Sequence, residues 1–427
     1  MPDVITRLYQ QFDPVRPLGA HEDNLYVDWQ KQTGVEDIKR TAVRSVLLAG
    51  DAKTTTLVTG HRGVGKTTEL IRTKVQLESG EGEAKHFVSM LRGQEWLDLD
   101  DIRAEDIVFQ AVRQLVSDLT SGTAFSVRTA QVGEWGKSLI EWFKTAGIDA
   151  GPDWLKISLT LKEFPAQRDN FRALLRGQLP TLIDTVNNRL LRPAREQLAQ
   201  TGTRGGIVII VDDLDKIRPH SLTERADVTN QEQIFVHESQ LLRSLDCDAI
   251  YSIPIELAYS HAQNDLVTAY GARPLHLPVI ALADRGGQPL DEGRAALLDI
   301  YTRRVRAASA AVADVFADDD LRDEVLRSTG GHVRSLGTAM REVLRDVDTL
   351  PITRADVDRA FKRLARDMRR GLEPGDRQVL DDVAQSGAES DAPAFFRLLR
   401  SSYVLAYQDD ESDWYAPHPW LRLAGAG

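Results

Sequence analysis

One cysteine, Cys247, stands in 427 residues, so no disulfide can close within the chain and no cysteine cluster is available for zinc. No stretch reaches the ~18 apolar residues that a membrane helix needs. No internal repeat and no low-complexity tract occurs. H-E-x-x-H is missing, and no Cys–His pairing carries a nucleophile's local signature, which sets aside the usual proteases. The formal charge of −11 argues against broad, sequence-independent binding to nucleic acid. Met1-Pro2-Asp3-Val4 lacks the basic and apolar regions of a secretory leader. With the lone cysteine, this sets a reducing cytoplasm as the expected location. What remains is an ordinary globular composition, 42% apolar and 27% charged, over a length that suits about two to four domains.

One run of residues carries most of the chemistry. Gly60-His61-Arg62-Gly63-Val64-Gly65-Lys66-Thr67 fits G-x-x-x-x-G-K-[ST] in full. The β-branched stretch Thr54–Thr59 precedes it and predicts a buried strand; Thr68 to Val75 predicts a helix. That strand–loop–helix order lets backbone N–H groups turn inward around a polyphosphate, with the helix N-terminus adding positive potential. Lys66 is expected to reach the β- and γ-phosphates, Thr67 to place its hydroxyl on Mg2+, and Thr68 to join the set where the helix begins.

A metal-bound triphosphate also needs carboxylates. Gly206 to Val211 is a near-continuous apolar run that ends in Asp212-Asp213-Leu214-Asp215-Lys216. Acids at the C-terminal tip of a central parallel strand face the ligand crevice of an open α/β sheet. Asp212 is the candidate Mg2+ partner and Asp213 the candidate that polarises attacking water. Asp215 either holds the loop or meets a partner. No N-K-x-D guanine-recognition motif follows, which favours ATP.

The expected fold is α/β. Residues 1–50 form a lead-in, with Pro14–Gly19 and Leu25–Val27 extended and a helix from Val35 to Leu48; Pro17 and Leu18 are either adenine neighbours or surface packing. Residues 51–285 form a parallel-sheet P-loop core with further strands at His86–Leu91, Ala249–Ile255 and Leu275–Ile280, and with helices at Asp101–Leu119 and Thr229–Leu245. An insertion at about 120–203 carries Trp135, Trp142 and Trp154, the alternating stretch Leu155–Leu161, and a long helical pattern from Asp169 to about Gln200 with Pro180 as its candidate kink. Residues 286–370 read as an α-helical lid, and 371–427 as a winged-helix domain with helices at Asp376–Ala384 and Pro393–Arg400 and strands at Tyr403–Tyr407 and Trp414–Pro417.

On these motifs the chain resembles the AAA+ and STAND branch of P-loop ATPases, with an order of core, lid and winged helix similar to origin-recognition ATPases. The resemblance implies further site residues. Ser252 matches the polar residue ending the strand beside the acidic one. Arg273, ahead of the last core strand, matches an arginine that reaches a neighbouring subunit's γ-phosphate; the alternative is a surface arginine. Gly330-Gly331-His332-Val333-Arg334 looks like the lid turn whose helix start touches the phosphates, with Arg334 first and His332 as the alternative. Asp213-Leu214-Asp215-Lys216 also resembles the signature of KAP-type ATPases, whose membrane segments are missing here.

The implied activity is an ATP-binding and ATP-hydrolysing switch, slow and partner-regulated, assembling as a homo-oligomer on a protein partner. Two alternatives stay open: a DNA-associated loader or transposition helper, and a nucleotide-bound scaffold without turnover. The basic run Lys362–Arg370 together with Arg397 and Arg400 suits DNA, whereas the acidic turn Asp409–Asp413 repels it. Nucleic acid is therefore not favoured, and no membrane is implied.

Overall fold

The computed structural model describes residues 3–80, 84–121, 165–221, 228–390, 392–409 and 412–423. Trp135, Trp142, Trp154, Leu155–Leu161, and Asp410 and Glu411 of the acidic turn lie outside the described residues. The chain divides into two compact units. One comprises Lys39–Thr59 and Glu69–Leu275; the other comprises Met1–Ile38, Gly60–Thr68 and His276–Gly427.

Strands β1 (Thr55–Gly60), β2 (His86–Arg92), β3 (Gly206–Asp212), β4 (Asp248–Ser252) and β5 (Leu275–Leu277) form one sheet in the order β2-β3-β4-β1-β5. The β2/β3, β3/β4 and β4/β1 pairings are all parallel. All seven residues of β3 are buried, as expected for a strand covered on both faces, and its Ile/Val run is what such a position selects. Register fixes what lies along the C-terminal edge. Arg92 pairs with Asp212, Val211 with Tyr251, and Val58 with Ser252. The last residues of β2, β3 and β4 thus form one row that ends beside the exit of β1, and β4, next to the acidic strand, closes on Ser252.

Two strands are shorter than their apolar runs. β4 stops at Ser252 because Pro254 has no N–H for the ladder; Ile253 still donates to Val58 O at 2.8 Å, and Ile255–Ala258 turn into a helix. β5 stops ahead of Pro278 for the same reason. The expected Thr229–Leu245 helix is broken into Asn230–Glu232, a π-helical turn at Gln233–His237, and Ser239–Leu242, opened by a Thr229/Glu232 capping box.

The Ala104–Ser121 helix buries Ile107, Val108, Ala111, Val112 and Leu115. The Pro165–Thr185 helix runs on through Pro180 into a π-helical turn at Val186–Leu191 and then Arg192–Gln200. Arg168 and Arg172, both nearly buried, pin its start to Asp98, Asp101 and Asp106 at 2.5–3.0 Å. Cys247 is buried, and burial pushes its thiol up to about 12. It packs as a small apolar side chain and is unreactive at neutral pH.

In the other unit, the helices Val4–Gln11, Asp291–Ala307, Asp319–Ser328, Val333–Leu344 and Arg354–Arg370 surround a core that includes Leu8, Phe12, Tyr301, Met340 and Phe361. The lead-in stretches Pro14–Gly19 and Leu25–Val27 form no strand, and helices at Val4–Gln11 and Trp29–Thr33 flank them. After Arg370 come helices Asp376–Ser386 and Pro393–Arg400. An antiparallel pair follows, β6 (Val404–Gln408) with β7 (Asp413–Pro417), closed by a Tyr407/Trp414 stack with centroids 4.3 Å apart. The last two helices and two strands fall within one or two residues of their sequence positions. Among the described residues no helix is long and apolar enough to cross a membrane.

Candidate functional site

The loop after β1 is built around its own backbone. Val64 is buried and anchors the turn. Lys66 is only 4% exposed; its Nζ donates to Gly60 O at 2.7 Å and His61 O at 2.9 Å. A charge-assisted bond to a phosphate is stronger than a bond to a neutral carbonyl, so these two bonds can be exchanged for phosphate oxygens. Thr68 Oγ1 accepts from Leu18 N at 3.2 Å, so the lead-in touches the loop next to Pro17.

The Val333–Leu344 helix begins against this loop. Arg334 N donates to Gly63 O at 3.2 Å, and Arg334 Nε donates to Pro14 O at 3.2 Å. Gly63 has φ 89°, and a Cβ there would stand 2.3 Å from Arg334 Nε. No other residue type meets both demands. Gly331 plays the matching part in the turn before the Val333–Leu344 helix, with φ 81° and a virtual Cβ only 1.8 Å from Ile280 O. The structure thus brings Gly60–Thr68 together with both lid candidates, Arg334 and His332.

His332 also belongs to a group that the sequence did not reveal. His61, His276, His332 and His418 are all buried. Trp420 N donates to His418 Nδ1 (3.2 Å), and His418 Nε2 meets Ser335 Oγ (2.9 Å). Ser335 Oγ also meets His332 Nδ1 (2.9 Å), and His332 Nε2 meets Arg62 O (3.1 Å). The ends of this chain are a fixed donor and a fixed acceptor, which assigns every proton between them. Both histidines are neutral with the proton on Nε2, and Ser335 donates to His332. His61 accepts from Ala406 N at 2.8 Å through Nε2, leaving its Nδ1 proton toward Ser402 Oγ. Burial, with Arg334 and Lys66 adding to it, pushes His332 down to about 3. Burial likewise pushes His276 and His418 to about 3, and carries His61 well below its ordinary value. Nothing in local sequence links these residues, because only the folded chain brings positions 61, 276, 332 and 418 together.

The acidic group lies at the edge of the other unit. Asp212 and Asp213 are 1% exposed and Asp215 7%, and one oxygen from each lies within 4.8 Å of the others. Asp213 has φ 70° and ψ 0°, a left-handed conformation that costs a non-glycine residue roughly 1 kcal/mol. Two cations hold it there: Lys216 Nζ at 2.7 Å and Arg92 Nε at 3.0 Å. Burial works against the charge, but the hydrogen bonds from Lys216 and Arg92 outweigh it and hold the carboxyl below its ordinary range. Arg92 Nε also lies 3.4 Å from Asp212 Oδ2. Sequence reasoning missed Arg92. Its signal was positional, since it ends β2 as Asp212 ends β3. Ser252 is fully buried and its Oγ accepts from Leu214 N at 3.1 Å, so it braces the acidic turn. The oxygen-only donor set fits a hard divalent cation. Arg273 stands on the exposed turn ahead of β5.

The basic residues at the C-terminal end are largely engaged. Arg363 bonds Glu342 and Asp346 at 2.5 Å, Arg369 donates to Leu421 O at 2.9 Å, and Arg397 bonds Asp376. The acidic turn is tied back by Arg285, which bonds Asp409 Oδ2 at 2.9 Å and Ser412 Oγ at 2.5 Å.

No protein-family model and no curated protein matches the chain. Among solved structures the chain is similar to the Walker-type ATPase of Pyrococcus abyssi, at 15% identity over 97% of this chain and 99% of that one, with a TM-score of 0.45. It is also similar to Drosophila ORC bound to DNA (14% identity, 97% and 89% coverage, TM-score 0.39) and to the ORC2 protein of Aeropyrum pernix in ADPNP and ADP complexes (13%, 90% and 92%, 0.40).

Proposed function

We propose that the chain binds ATP with Mg2+ and hydrolyses it slowly, as a switch that controls assembly with a protein partner. The observation that carries this reading is the loop itself: a complete phosphate-binding motif whose lysine rests on its own carbonyls, with Arg334 packed onto Gly63. Gly60, Gly63 and Gly65 shape the cradle, whose remaining members are His61, Arg62, Val64 and Thr68. Lys66 exchanges Gly60 O and His61 O for phosphate oxygens. Thr67 and Asp212 would hold Mg2+, which neutralises charge on the phosphates. Asp213 orients the attacking water, and Ser252 holds the acidic turn in place. Arg334 couples the bound phosphates to the lid. At ~1,000 times its dissociation constant, ATP stabilises the bound state by about 4 kcal/mol, enough to drive a balanced equilibrium almost completely one way. In an oligomer, exposed Arg273 supplies the cation across the interface.

One observation favours slow or absent turnover. A carboxylate whose charge is already answered by Arg92 and Lys216 is a weak base. Steady-state phosphate release decides between the switch and the scaffold. Wild type is expected to turn over, Asp213→Asn to keep ATP binding and lose release about 100-fold or more, on the order of one general-base contribution. Equal release in the two proteins would remove Asp213 from catalysis. The DNA-loader reading is weakened by the ion pairs of Arg363 and Arg397 and by the acidic turn.

A further inference from the structure

The Val333–Leu344 helix, whose start meets the phosphate-binding loop through Arg334, carries a glycine in its interior. Gly337 is buried and helical. Glycine inside a helix is destabilising relative to alanine, so its use there calls for a close neighbour. That neighbour is the backbone of the N-terminal lead-in. A Cβ on Gly337 would stand 2.8 Å from Phe12 O and 3.1 Å from Pro14 Cα.

Two arginines flank Gly337 at helical spacing, so positions 334, 337 and 341 share one face. Arg334 Nε donates to Pro14 O at 3.2 Å. Arg341 Nε donates to Tyr9 O at 3.0 Å, and its guanidinium lies over the Tyr9 ring, 4.6 Å from the centroid. A second nitrogen of Arg341 lies 3.3 Å from Asp13 Oδ2. This face is a seat for Tyr9–Pro14. The seated segment is also fixed at two further points. Phe12 is fully buried against Tyr301, with ring centroids 5.8 Å apart. Four residues past Pro14, Leu18 N donates to Thr68 Oγ1 in the first turn of the helix that follows the loop. One segment thus spans the Val333–Leu344 helix and the phosphate-binding loop. Its Pro14 carbonyl restrains the plane of the Arg334 guanidinium from the Nε side.

We propose, on the reading of the loop as an ATP site, that Tyr9–Leu18 is a strap that positions Arg334 for the nucleotide, with Gly337 and Arg341 as positioning residues. Neither of the two touches the phosphates; both act through the strap on Arg334. A methyl group at position 337 pushes Phe12 and Pro14 off the helix and takes Pro14 O away from Arg334. Loss of the Arg341 guanidinium frees the Tyr9 end without crowding the helix.

The test is calorimetric titration of the full chain with ATP and Mg2+, in wild type, Gly337→Ala, Arg341→Met, Arg334→Met and the double variant Gly337→Ala/Arg334→Met. Gly337→Ala should bind about tenfold more weakly, the value of one charge-assisted hydrogen bond to phosphate, and Arg341→Met several-fold more weakly. The double variant separates positioning from general damage. With Arg334 already removed, Gly337→Ala should weaken binding no further, whereas independent effects would multiply. Amide exchange without nucleotide reads the strap itself: Leu18 N–H should exchange faster in Gly337→Ala than in wild type, with the helical circular dichroism unchanged. Wild-type ATP affinity in both Gly337→Ala and Arg341→Met, a full further loss in the double variant, or equal Leu18 exchange would each overturn the strap while leaving the ATP site standing. An absence of ATP binding to wild type would remove the ATP reading, and the strap's role with it.

Discussion

The buried histidines make stability depend steeply on pH. His276, His332 and His418 sit near 3 in the folded chain and His61 is lowered in the same sense, whereas an unfolded histidine titrates near 6.5. Below pH 6.5 the unfolded chain takes up protons that the folded chain refuses, so stability falls as pH falls, across the window from 6.5 down to about 3. At pH 5 each such group contributes about 2 kcal/mol of loss relative to pH 7.5, and the three with values near 3 together about 6 kcal/mol. That is comparable to the whole stability of a typical domain, about 5–15 kcal/mol. Protonation also removes acceptors: His332 Nδ1 could no longer accept from Ser335, nor His418 Nδ1 from Trp420. Asp413, with an oxygen 4.0 Å from His276 Nδ1, does not reverse the sign. Urea midpoints followed by tryptophan fluorescence from pH 7.5 to 5.0 provide the assay. His332→Gln and His418→Gln retain a donor and an acceptor but do not titrate, so each should reduce the loss of stability between pH 7.5 and 5.0 by about 2 kcal/mol. A midpoint constant from pH 7.5 to 5.0, or a slope unaffected by both substitutions, would refute the reasoning.

Other expectations follow from single positions. Gly63→Val combines an unfavourable φ with a side chain driven into Arg334, so ATP affinity should fall at least tenfold and stability by about 1–3 kcal/mol, read by calorimetry and thermal denaturation; wild-type affinity in this variant would dismiss the Gly63–Arg334 contact. Arg273→Ala, at an exposed position, should leave stability within about 0.5 kcal/mol, yet lower turnover in mixed assemblies with wild type. Mixed assemblies of unchanged activity would place Arg273 outside the reaction.

Much of the architecture was legible because it is written locally. The Gly206–Val211 run, the Gly60–Thr67 motif and the paired helices and strands after Asp376 carry their own periodicity and punctuation, and they appear within a residue or two of the sequence reading. Where the reading overshot, a proline was the cause: Pro254 and Pro278 cut β4 and β5 short although their apolar character runs on. The broken helix after Thr229 had no such marker. Long-range partnerships left no local trace. Arg92 beside Asp213 is 121 residues away in sequence, and the histidine chain joins the phosphate-binding loop to the C-terminal hairpin. The basic run at 362–370 kept a DNA surface open as the less favoured alternative, because sequence shows charges without their partners, Glu342 and Asp346 among them.

The central claim is that this chain grips ATP through the loop after β1, and titration calorimetry tests it most directly. Wild type, with ATP and Mg2+ present, should give saturable heat that Lys66→Ala loses while remaining folded by circular dichroism. The absence of heat from wild type, or equal heat from Lys66→Ala, would contradict the account.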